Sequence, residues 1–300
     1  MKYPYIHQVE IKNYRNFKDL SLIMEPTCVI VGENRAGKSN FLTALRLVLD
    51  PSLPDSSRIL RAEDFWDGLS KPFGGNVIEV KVYIRGFEDN KSAQSVLADC
   101  LVKPDPLTAL ITYKFRPRTG IEYKDPTESE YEYVVFGGKD EKNRIAAEIR
   151  KWLAIVVLPA LRDAESDMQS WKKSPLRPLL DRAKASIDPE KLSDVRDLLD
   201  EATSNLVEEP AIKSLLKEIN KSLSSMVGPI LSVETQFDFA SSEPEQLLRA
   251  IRLFLKEGQS RPLSDASLGT ANILFLSLLL QELDMKVDSK EIVSTILAIE

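Results

Sequence analysis

The segment Gly32-Glu33-Asn34-Arg35-Ala36-Gly37-Lys38-Ser39 has the composition of a phosphate-binding loop. It fits the pattern G-x-x-x-x-G-K-S, in which the two glycines let the backbone curl so that successive N–H groups point at one phosphate chain. The lysine adds a positive charge at the β and γ phosphates, and the serine hydroxyl can ligate Mg²⁺. A helix beginning at Asn40 would present its positive N-terminus to the same anion. Residues Gly32–Asn40 are therefore predicted to bind ATP, and Ser39 among them is predicted to bind Mg²⁺.

The sequence on both sides of this loop supports that prediction. The preceding run Thr27–Val31 is apolar and rich in β-branched residues, which predicts a strand buried on both faces. The following segment Asn40–Leu49 has apolar residues at helical spacing and is stopped by Asp50-Pro51. A strand, a glycine loop and an amphipathic helix in this order favour a phosphate-binding loop over a chance turn.

A second set of small polar residues, Ser267-Leu268-Gly269-Thr270-Ala271-Asn272, precedes an apolar helix predicted to span Leu268–Leu283. A serine and a glycine at a helix start can donate hydroxyl and backbone N–H groups to an anion, although the same pattern can be an N-cap alone. About thirty residues later the apolar run from Ile296 ends on Glu300. This order is typical of ABC-type ATPases and predicts Glu300 as a Mg²⁺-binding acid.

The remaining elements predict an α/β fold, a P-loop NTPase of ABC/SMC type with an antiparallel β subsheet and a helical insertion. We expect an N-terminal ATPase part over residues 1–160, a helical arm over 161–228 that could pair with a second copy, and a return to the ATPase domain over 229–300. Strands are predicted at 5–12, 20–24, 77–87, 107–116, 131–136, 155–158, 230–239, 248–255 and 292–300.

Composition limits the class of protein. The net charge is −6 and the pI is about 5.2, so nucleic acid would have to be bound locally rather than by bulk charge. A basic cluster could contact a phosphate backbone or be a solvated helix face, namely Lys172, Lys173, Arg177, Arg182 and Lys184. The two cysteines form no metal motif, and neither a signal peptide nor an apolar run of roughly 18 residues is found. A cytoplasmic protein without a membrane partner is predicted.

The chain stops on the last residue of its final apolar strand. A natural domain rarely ends there, because the strand would lack its edge partner and its helical cover. We therefore expect the sequence to be a fragment of a longer protein.

Several motifs together resemble one group of ATPases. The opening Val9-Glu10-Ile11-Lys12-Asn13-Tyr14-Arg15-Asn16-Phe17, the loop Gly32–Ser39 and the Ser267/Gly269 pair are similar to the ATPase domains of RecF, Rad50 and structural-maintenance-of-chromosomes (SMC) proteins. Within that group the chain resembles the OLD (overcoming lysogenization defect) family of ATP-dependent endonucleases. That likeness rests on Arg61-Ala62-Glu63-Asp64-Phe65, on Leu158–Glu165 and on Trp171–Leu176.

The resemblance implies a homodimer that sandwiches ATP between Gly32–Ser39 of one subunit and Ser267 and Gly269 of the other. It gives Lys38 and Glu300 catalytic roles and places Arg15 near the nucleotide, although Arg15 could equally be an ordinary surface arginine. It brings Asp64 near the Mg²⁺ held by Ser39 and Glu300, although Asp64 could instead cap a helix.

The OLD resemblance also implies a nuclease domain, a second glutamate and a sensing histidine beyond residue 300. This chain alone is therefore expected to hydrolyse ATP poorly. Nucleotide state would regulate DNA cleavage, with a role in phage defence. Two alternatives remain open: a RecF/SMC-type repair ATPase without a nuclease, and a nucleotide-binding scaffold without enzymatic activity.

Overall fold

The computed structural model describes residues 3–70, 75–118, 130–145, 147–158, 164–227, 235–236, 244–257, 259–262, 265 and 267–299. The chain divides into two compact units. The first comprises Met1–Arg162 with Leu283–Glu300, and the second comprises Asp163–Glu282.

An antiparallel sheet is the framework of the first unit. Its strands follow the order β2-β1-β3-β5-β4, with β6 also paired to β5. Strand β3 shows the reason for this arrangement, because its apolar residues alternate strictly with charged and polar ones and every second side chain is buried. The predicted antiparallel sheet is thereby confirmed. The strands are β1 (Tyr5–Tyr14), β2 (Phe17–Ile23), β3 (Ile78–Arg85), β4 (Leu101–Pro104), β5 (Leu107–Pro117) and β6 (Tyr131–Gly137).

Four helices and a parallel strand pair complete this unit. Strand β7 (Leu153–Leu158) pairs in parallel with β10 (Ser294–Ile299), in a register that runs from Ser294 opposite Leu153 to Ile299 opposite Leu158. The helices are α1 (Lys38–Leu49), α2 (Asp55–Arg58), α3 (Lys91–Val96) and α4 (Ala147–Trp152), with 3₁₀ turns at Ala62–Asp64 and Ala98–Cys100.

Helix α1 is fixed at its C-terminal end by a buried arginine. The side chain of Arg58 is 1% exposed, and its guanidinium donates hydrogen bonds to the carbonyl oxygens of Leu47, Asp50 and Leu53. The last carbonyls of a helix lack partners within the helix, so these bonds satisfy groups that would otherwise be buried without one. Arg58 therefore holds the start of the following segment against the end of α1.

The predicted strand at Thr27–Val31 is wrong. These residues are assigned to no strand, and Val29 and Val31 are 82% and 87% exposed. Together with β10 the segment lines a cavity of about 540 Å³. The apolar sequence predicted burial, but a strand also needs a hydrogen-bonded neighbour, and in the described part of the chain β10 is paired with β7.

Helices dominate the second unit. They are α5 (Ala164–Gln169), α6 (Leu176–Ala185), α7 (Pro189–Glu208), α8 (Pro210–Val227), α9 (Pro244–Ala250) and the start of α10 (Leu268–Asp288), accompanied by the antiparallel pair β8 (Phe254–Glu257) and β9 (Gln259–Pro262). The predicted strand at 248–255 is wrong over residues 248–253, because residues 248–250 belong to α9 and β8 begins only at Phe254. The predicted strand at 230–239 lies outside the described residues except for 235–236.

Helix α10 qualifies the observation that the sequence contains no apolar run of roughly 18 residues. Of the helices in the described ranges, it is the one long and apolar enough by length and mean hydropathy (1.2) to cross a membrane, and 22% of that window is buried. It escapes a search for uninterrupted apolar runs because Thr270, Asn272 and Ser277 interrupt it. Core helices of soluble proteins meet the same criterion, so this finding is weak evidence for a span.

The two cysteines lie in opposite environments. Cys28 is exposed, whereas Cys100 is 1% exposed. Burial, and to a lesser extent the Asp99 carboxylate, raises the pKa of the Cys100 thiol to about 12.

Candidate functional site

The glycine loop turns directly into α1 in the geometry that an anion site requires. A turn closes where the Ala36 N–H donates to the Glu33 carbonyl at 3.1 Å, and Gly37 takes a left-handed conformation (φ +103°) immediately before the helix. No side chain of the described residues caps this N-terminus. The first N–H groups of α1 are thus available to an anion, as in other helix N-termini that bind phosphate.

Gly37 could not be replaced by a residue with a side chain. A Cβ atom there would lie 2.2 Å from Nδ2 of Asn16 and 2.9 Å from Cζ of Phe17. The positive φ would add backbone strain for an L-residue. Both the space and the conformation at this position therefore require glycine.

Lys38 is folded over its own loop. Its Nζ donates to the carbonyl oxygens of Gly32 and Glu33 at 2.7 and 2.8 Å. The ammonium group is thereby held at the mouth of the loop, where the motif predicts contact with phosphate. Ser39 follows in the first turn of α1 and is exposed, so its hydroxyl can reach a metal ion bound to a phosphate chain.

Arg15 connects the β1–β2 turn to α1. Its Nε donates to Oδ1 of Asp64 at 2.8 Å, and its Nη1 donates to Oδ1 of Asn40 at 2.9 Å. The backbone of Arg15 also has a positive φ (49°), and its N–H donates to the Asp64 carbonyl at 2.8 Å. The sequence predicted Arg15 near the nucleotide, and the structure places it beside Asn40 at the start of the P-loop helix.

Asp64 has both carboxylate oxygens engaged. Oδ1 accepts from Arg15, and Oδ2 accepts from the Arg61 backbone N–H at 2.9 Å. The described residues contain no group of three or more His, Cys, Asp or Glu side chains that could hold a metal. Asp64 serves here as an ion-pair partner and turn cap, and its role at Mg²⁺ stays a prediction.

Glu300 lies outside the described residues, so its predicted roles as a catalytic and Mg²⁺-binding acid stay predictions. Strand β10, which precedes it, is described up to Ile299.

Tyr14 is buried beneath this network. Its ring packs under Arg15, whose Cζ lies 5.0 Å from the ring centroid. Among the described residues, its hydroxyl has no hydrogen-bond partner. Burial raises the pKa of Tyr14 to about 12, although the guanidinium acts in the opposite direction. The phenol of Tyr14 therefore stays neutral at physiological pH, and its ring packs against the guanidinium group of Arg15.

A cleft of about 520 Å³ opens beside the same network. Its charged lining comes from Arg15, Arg46, Arg61, Glu63 and Asp64. The rest consists of two hydroxyl residues, Thr43 and Ser57, and of four apolar residues, Leu47, Leu53, Ile59 and Leu60. Guanidinium groups next to an apolar wall can contact both anions and planar rings. The cleft therefore extends the candidate site away from the loop.

The predicted signature residues lie at the start of α10. Ser267 Oγ accepts a hydrogen bond from the Thr270 N–H at 3.2 Å, so the N-cap interpretation of this serine is confirmed. Of the atoms in the described residues, a Cβ atom at Gly269 would meet Ser267 Oγ alone, at 3.8 Å. Contact of Ser267 and Gly269 with a nucleotide stays a prediction.

The basic cluster of the second unit is partly neutralised. Lys173 Nζ lies 3.4 Å from Oδ1 of Asp167, and Arg177 Nε lies 3.6 Å from Oδ2 of Asp181. Arg177 also stacks over Trp171, with Cζ 5.9 Å from the ring centroid. These contacts favour a solvated helix face over a dedicated phosphate-binding surface.

Sequence reasoning missed the contribution of Asn16. Its Nδ2 donates to the Ala36 carbonyl of the loop at 3.2 Å, and its Oδ1 accepts from Asn40 Nδ2 at 2.8 Å. The sequence signal for this role was the position of Asn16, a polar residue directly after Arg15 in the turn between β1 and β2.

Comparison with known proteins locates the family signal in the first half of the chain. Residues 5–152 match the family model described as AAA ATPase domain. The DNA replication and repair protein RecF of Rickettsia massiliae (strain Mtu5) is 46% identical over 48 residues, which are 16% of this chain and 13% of that protein. RecF proteins of Rickettsia rickettsii (strain Sheila Smith) and Rickettsia conorii match with the same figures. The similar segment thus spans about an eighth of the length of these relatives.

Two solved structures that align with this chain are a recombination mediator and an Smc head domain. The recombination mediator RecF with ATP aligns over 100% of this chain and 86% of its own, with a TM-score of 0.40 and 17% identity. The Smc head domain from Pyrococcus furiosus aligns over 95% and 60%, with a TM-score of 0.34 and 18% identity. Because both TM-scores are below 0.5, the assignment rests on the family match, on the glycine loop before α1 and on the antiparallel sheet. Together these indicate a P-loop ATPase domain in the first half of the chain.

Proposed function

We propose that this chain is the ATP-binding module of a DNA-acting ATPase of RecF/SMC type. The observation that carries the proposal is the geometry of the loop: left-handed Gly37 opens α1 with no side-chain cap, and the Lys38 ammonium is held over the same loop. Backbone N–H groups, a helix N-terminus and one cation then converge on one place, which is what a triphosphate requires.

The loop residues would divide the work of binding and phosphoryl transfer. Lys38 would exchange its two carbonyl partners for phosphate oxygens and offset the charge that develops on the γ phosphate. The Ser39 hydroxyl, with Glu300, would hold Mg²⁺, which when bound neutralises charge between the β and γ phosphates.

A second copy of the chain would complete the site. Ser267 and Gly269 start a helix whose first turn is exposed, and Gly269 leaves room for a close approach. A serine hydroxyl and backbone N–H groups in that arrangement can bind the γ phosphate from the opposite side. The homodimer, its possible reinforcement by the helical arm and its cytoplasmic location belong to this proposal.

DNA is the proposed macromolecular partner. The support is that the curated relatives are named DNA replication and repair proteins. Since the net charge is −6, contact with DNA would be confined to local surfaces.

A nuclease partner domain is the finer possibility. It rests on the OLD-like residues Arg61–Phe65 and Leu158–Glu165, whereas the RecF match favours an ATPase without a nuclease. The protein should be incubated with plasmid DNA, Mg²⁺ and ATP. Cleavage that requires both the metal and ATP would support the OLD-like proposal and a role in defence. Intact DNA with ATP-dependent DNA binding would support the RecF-like one.

The direct test of ATP binding is the Lys38→Ala variant. Loss of a charge-assisted contact should weaken ATP binding by roughly 10- to 150-fold, measured by equilibrium binding of a fluorescent ATP analogue. Lys12→Ala, which removes an exposed lysine from β1, is the matched control and should leave affinity unchanged. Equal affinity in the Lys38→Ala variant and the parent protein would refute the proposed function.

The Ser39→Ala variant tests the metal role separately. Binding in the presence of Mg²⁺ should fall more than binding in EDTA, because the lost hydroxyl contacts the metal. An equal loss in both buffers would remove Ser39 from the metal site.

A further inference from the structure

The turn between β1 and β2 contacts the phosphate loop through a hydrogen bond from the side chain of Asn16. Its Nδ2 donates to the Ala36 carbonyl at 3.2 Å, and the same atom lies 2.2 Å from the position a Cβ would take at Gly37. Asn16 therefore lies directly against the peptide that joins Ala36 to Gly37. No role in the motif explains this contact.

The amide of Asn16 has its orientation fixed from the other end. Arg15 can only donate, so its bond to Asn40 Oδ1 at 2.9 Å makes Oδ1 the acceptor of that amide. Asn40 Nδ2 then donates to Asn16 Oδ1 at 2.8 Å, and Asn16 Nδ2 is left to donate to Ala36. The three bonds run head to tail from the guanidinium to the loop carbonyl. Asp64, whose side chain is 17% exposed, anchors the first member through Arg15 Nε at 2.8 Å.

Orientation of the Ala36 carbonyl decides where the next N–H points. In a trans peptide the C=O of one residue and the N–H of the next are directed to opposite sides of the chain. With the Ala36 oxygen held toward Asn16, the Gly37 N–H is directed away from Asn16. That N–H belongs to the series which the loop motif aims at phosphate.

We propose that Asn16 is a positioning residue that presets the Ala36–Gly37 peptide for phosphate binding, an inference that rests on the proposed ATP site. Helical spacing in α1 explains the position of Asn40. Among the described residues, the hydrogen bond from Asn16 is the one contact from outside the loop that fixes the Ala36–Gly37 peptide. Without it the peptide can rotate, because glycine tolerates both signs of φ. The phosphate chain must then bind the fraction of molecules in which this peptide has the correct orientation, so the affinity for phosphate falls.

The first experiment needs no nucleotide. Amide ¹H–¹⁵N spectra of the nucleotide-free protein should show the Gly37 resonance shifted or broadened in the Asn16→Ala variant. Asn205→Ala, which removes an exposed asparagine from α7, is the matched control and should leave that resonance in place. An unchanged Gly37 resonance in Asn16→Ala would overturn the inference whatever the protein binds.

The second experiment measures binding of ATP and of inorganic tripolyphosphate by titration calorimetry. Both ligands should bind Asn16→Ala roughly tenfold more weakly, which is the effect of one hydrogen bond. The loss should be the same for both because the orientation of the Ala36–Gly37 peptide affects contacts with the phosphate chain alone. The isosteric Asn16→Asp variant, which keeps the acceptor and removes the donor, should lose at least as much. The midpoint of urea unfolding should stay within error, since Asn16 is exposed.

The outcomes separate the two proposals. A parent protein that binds neither ligand refutes the proposed function, and the inference falls with it. A parent protein that binds both while Asn16→Ala binds them with parental affinity overturns the role of Asn16 and leaves the ATP site standing. A loss for ATP without a loss for tripolyphosphate would place Asn16 at the nucleoside and also overturn the inference.

Discussion

Strand β3 and the segment Thr27–Val31 are built from similar residues and lie in opposite environments. Val80 and Val82 are fully buried, whereas Val29 and Val31 are 82% and 87% exposed. Strand β3 is hydrogen-bonded to β1 on one side and to β5 on the other. Residues 28–30 line a cavity of about 540 Å³ together with β10, and residues 27–31 belong to no ladder of the described sheets. Apolar β-branched sequence supplies the surface to be buried, and paired neighbours decide whether burial happens.

The largest difference should appear when one isoleucine is truncated in each region. Ile84→Ala in β3 should lower the free energy of unfolding by about 2–5 kcal/mol, because it leaves a cavity in a fully buried site. Ile30→Ala, at 39% exposure, should cost less than about 1 kcal/mol. Urea unfolding followed by circular dichroism measures both. Equal costs would mean that the segment is packed as tightly as the sheet.

A somewhat smaller difference in the free energy of unfolding should separate substitutions of two arginines, Arg58 and Arg35. Arg58→Met leaves the carbonyls at the end of α1 without their donor and should cost about 1–3 kcal/mol. Arg35→Met, an exposed position in the loop, is the matched control and should stay within about 0.5 kcal/mol. The midpoint of urea unfolding in the absence of nucleotide is the measurement. A neutral Arg58→Met would show that water replaces the lost donor.

Acid should reveal the contribution of Asp50 at the same helix end. Burial acts to raise the pKa of Asp50, but hydrogen bonds from Ser52 and Arg46 outweigh it and lower the pKa below the ordinary 3.8. The folded state thus favours the carboxylate, so its stabilisation is full above pH 3.8 and is lost as the pH falls further.

Asp50→Asn should therefore reduce the difference in unfolding free energy between pH 7 and pH 3. We expect a reduction of less than about 1 kcal/mol, since Arg46 is 40% exposed and screened by solvent. Asp19→Asn on β2, where the side chain is exposed, is the control. An unchanged pH dependence in Asp50→Asn would contradict the lowered pKa.

The smallest effect is expected in the segment itself. Val31→Thr replaces a methyl group by a hydroxyl at an exposed position and should change stability by less than about 0.5 kcal/mol. Val82→Thr in β3 buries the same hydroxyl and should cost about 1–3 kcal/mol. A large cost at Val31 would show that the segment is buried in solution.

Much of the fold could be predicted because its signal is local. Alternation identified β1, and the content of strand-forming residues identified β3, β5 and β6. Helical spacing identified α1, and the glycine pattern identified the loop. Burial of Thr27–Val31 could not be settled locally, since it depends on an edge of β10 more than 260 residues away. The residue types of Thr27–Val31 are compatible with a buried strand and with an exposed segment alike.

The polar contacts of the site were beyond local reasoning for a different reason. Asn16 and Ala36 are 20 residues apart, and Arg15 and Asp64 are 49 apart. Such pairs follow no period, so residue type indicates that a partner is needed without indicating which one. Arg58 shows the same limit, because an arginine in a short helix is usually a surface residue.

The contrast between the two thiols gives this protein a built-in reporter. A maleimide dye at neutral pH will attach to Cys28, since the Cys100 thiol is buried and its pKa is about 12. Cys28 and Lys38 line the same cavity, so the dye will lie close to the lysine on which phosphate is proposed to act. Arrival of nucleotide can then be followed as a change in fluorescence on the natural sequence, with no cysteine added or removed.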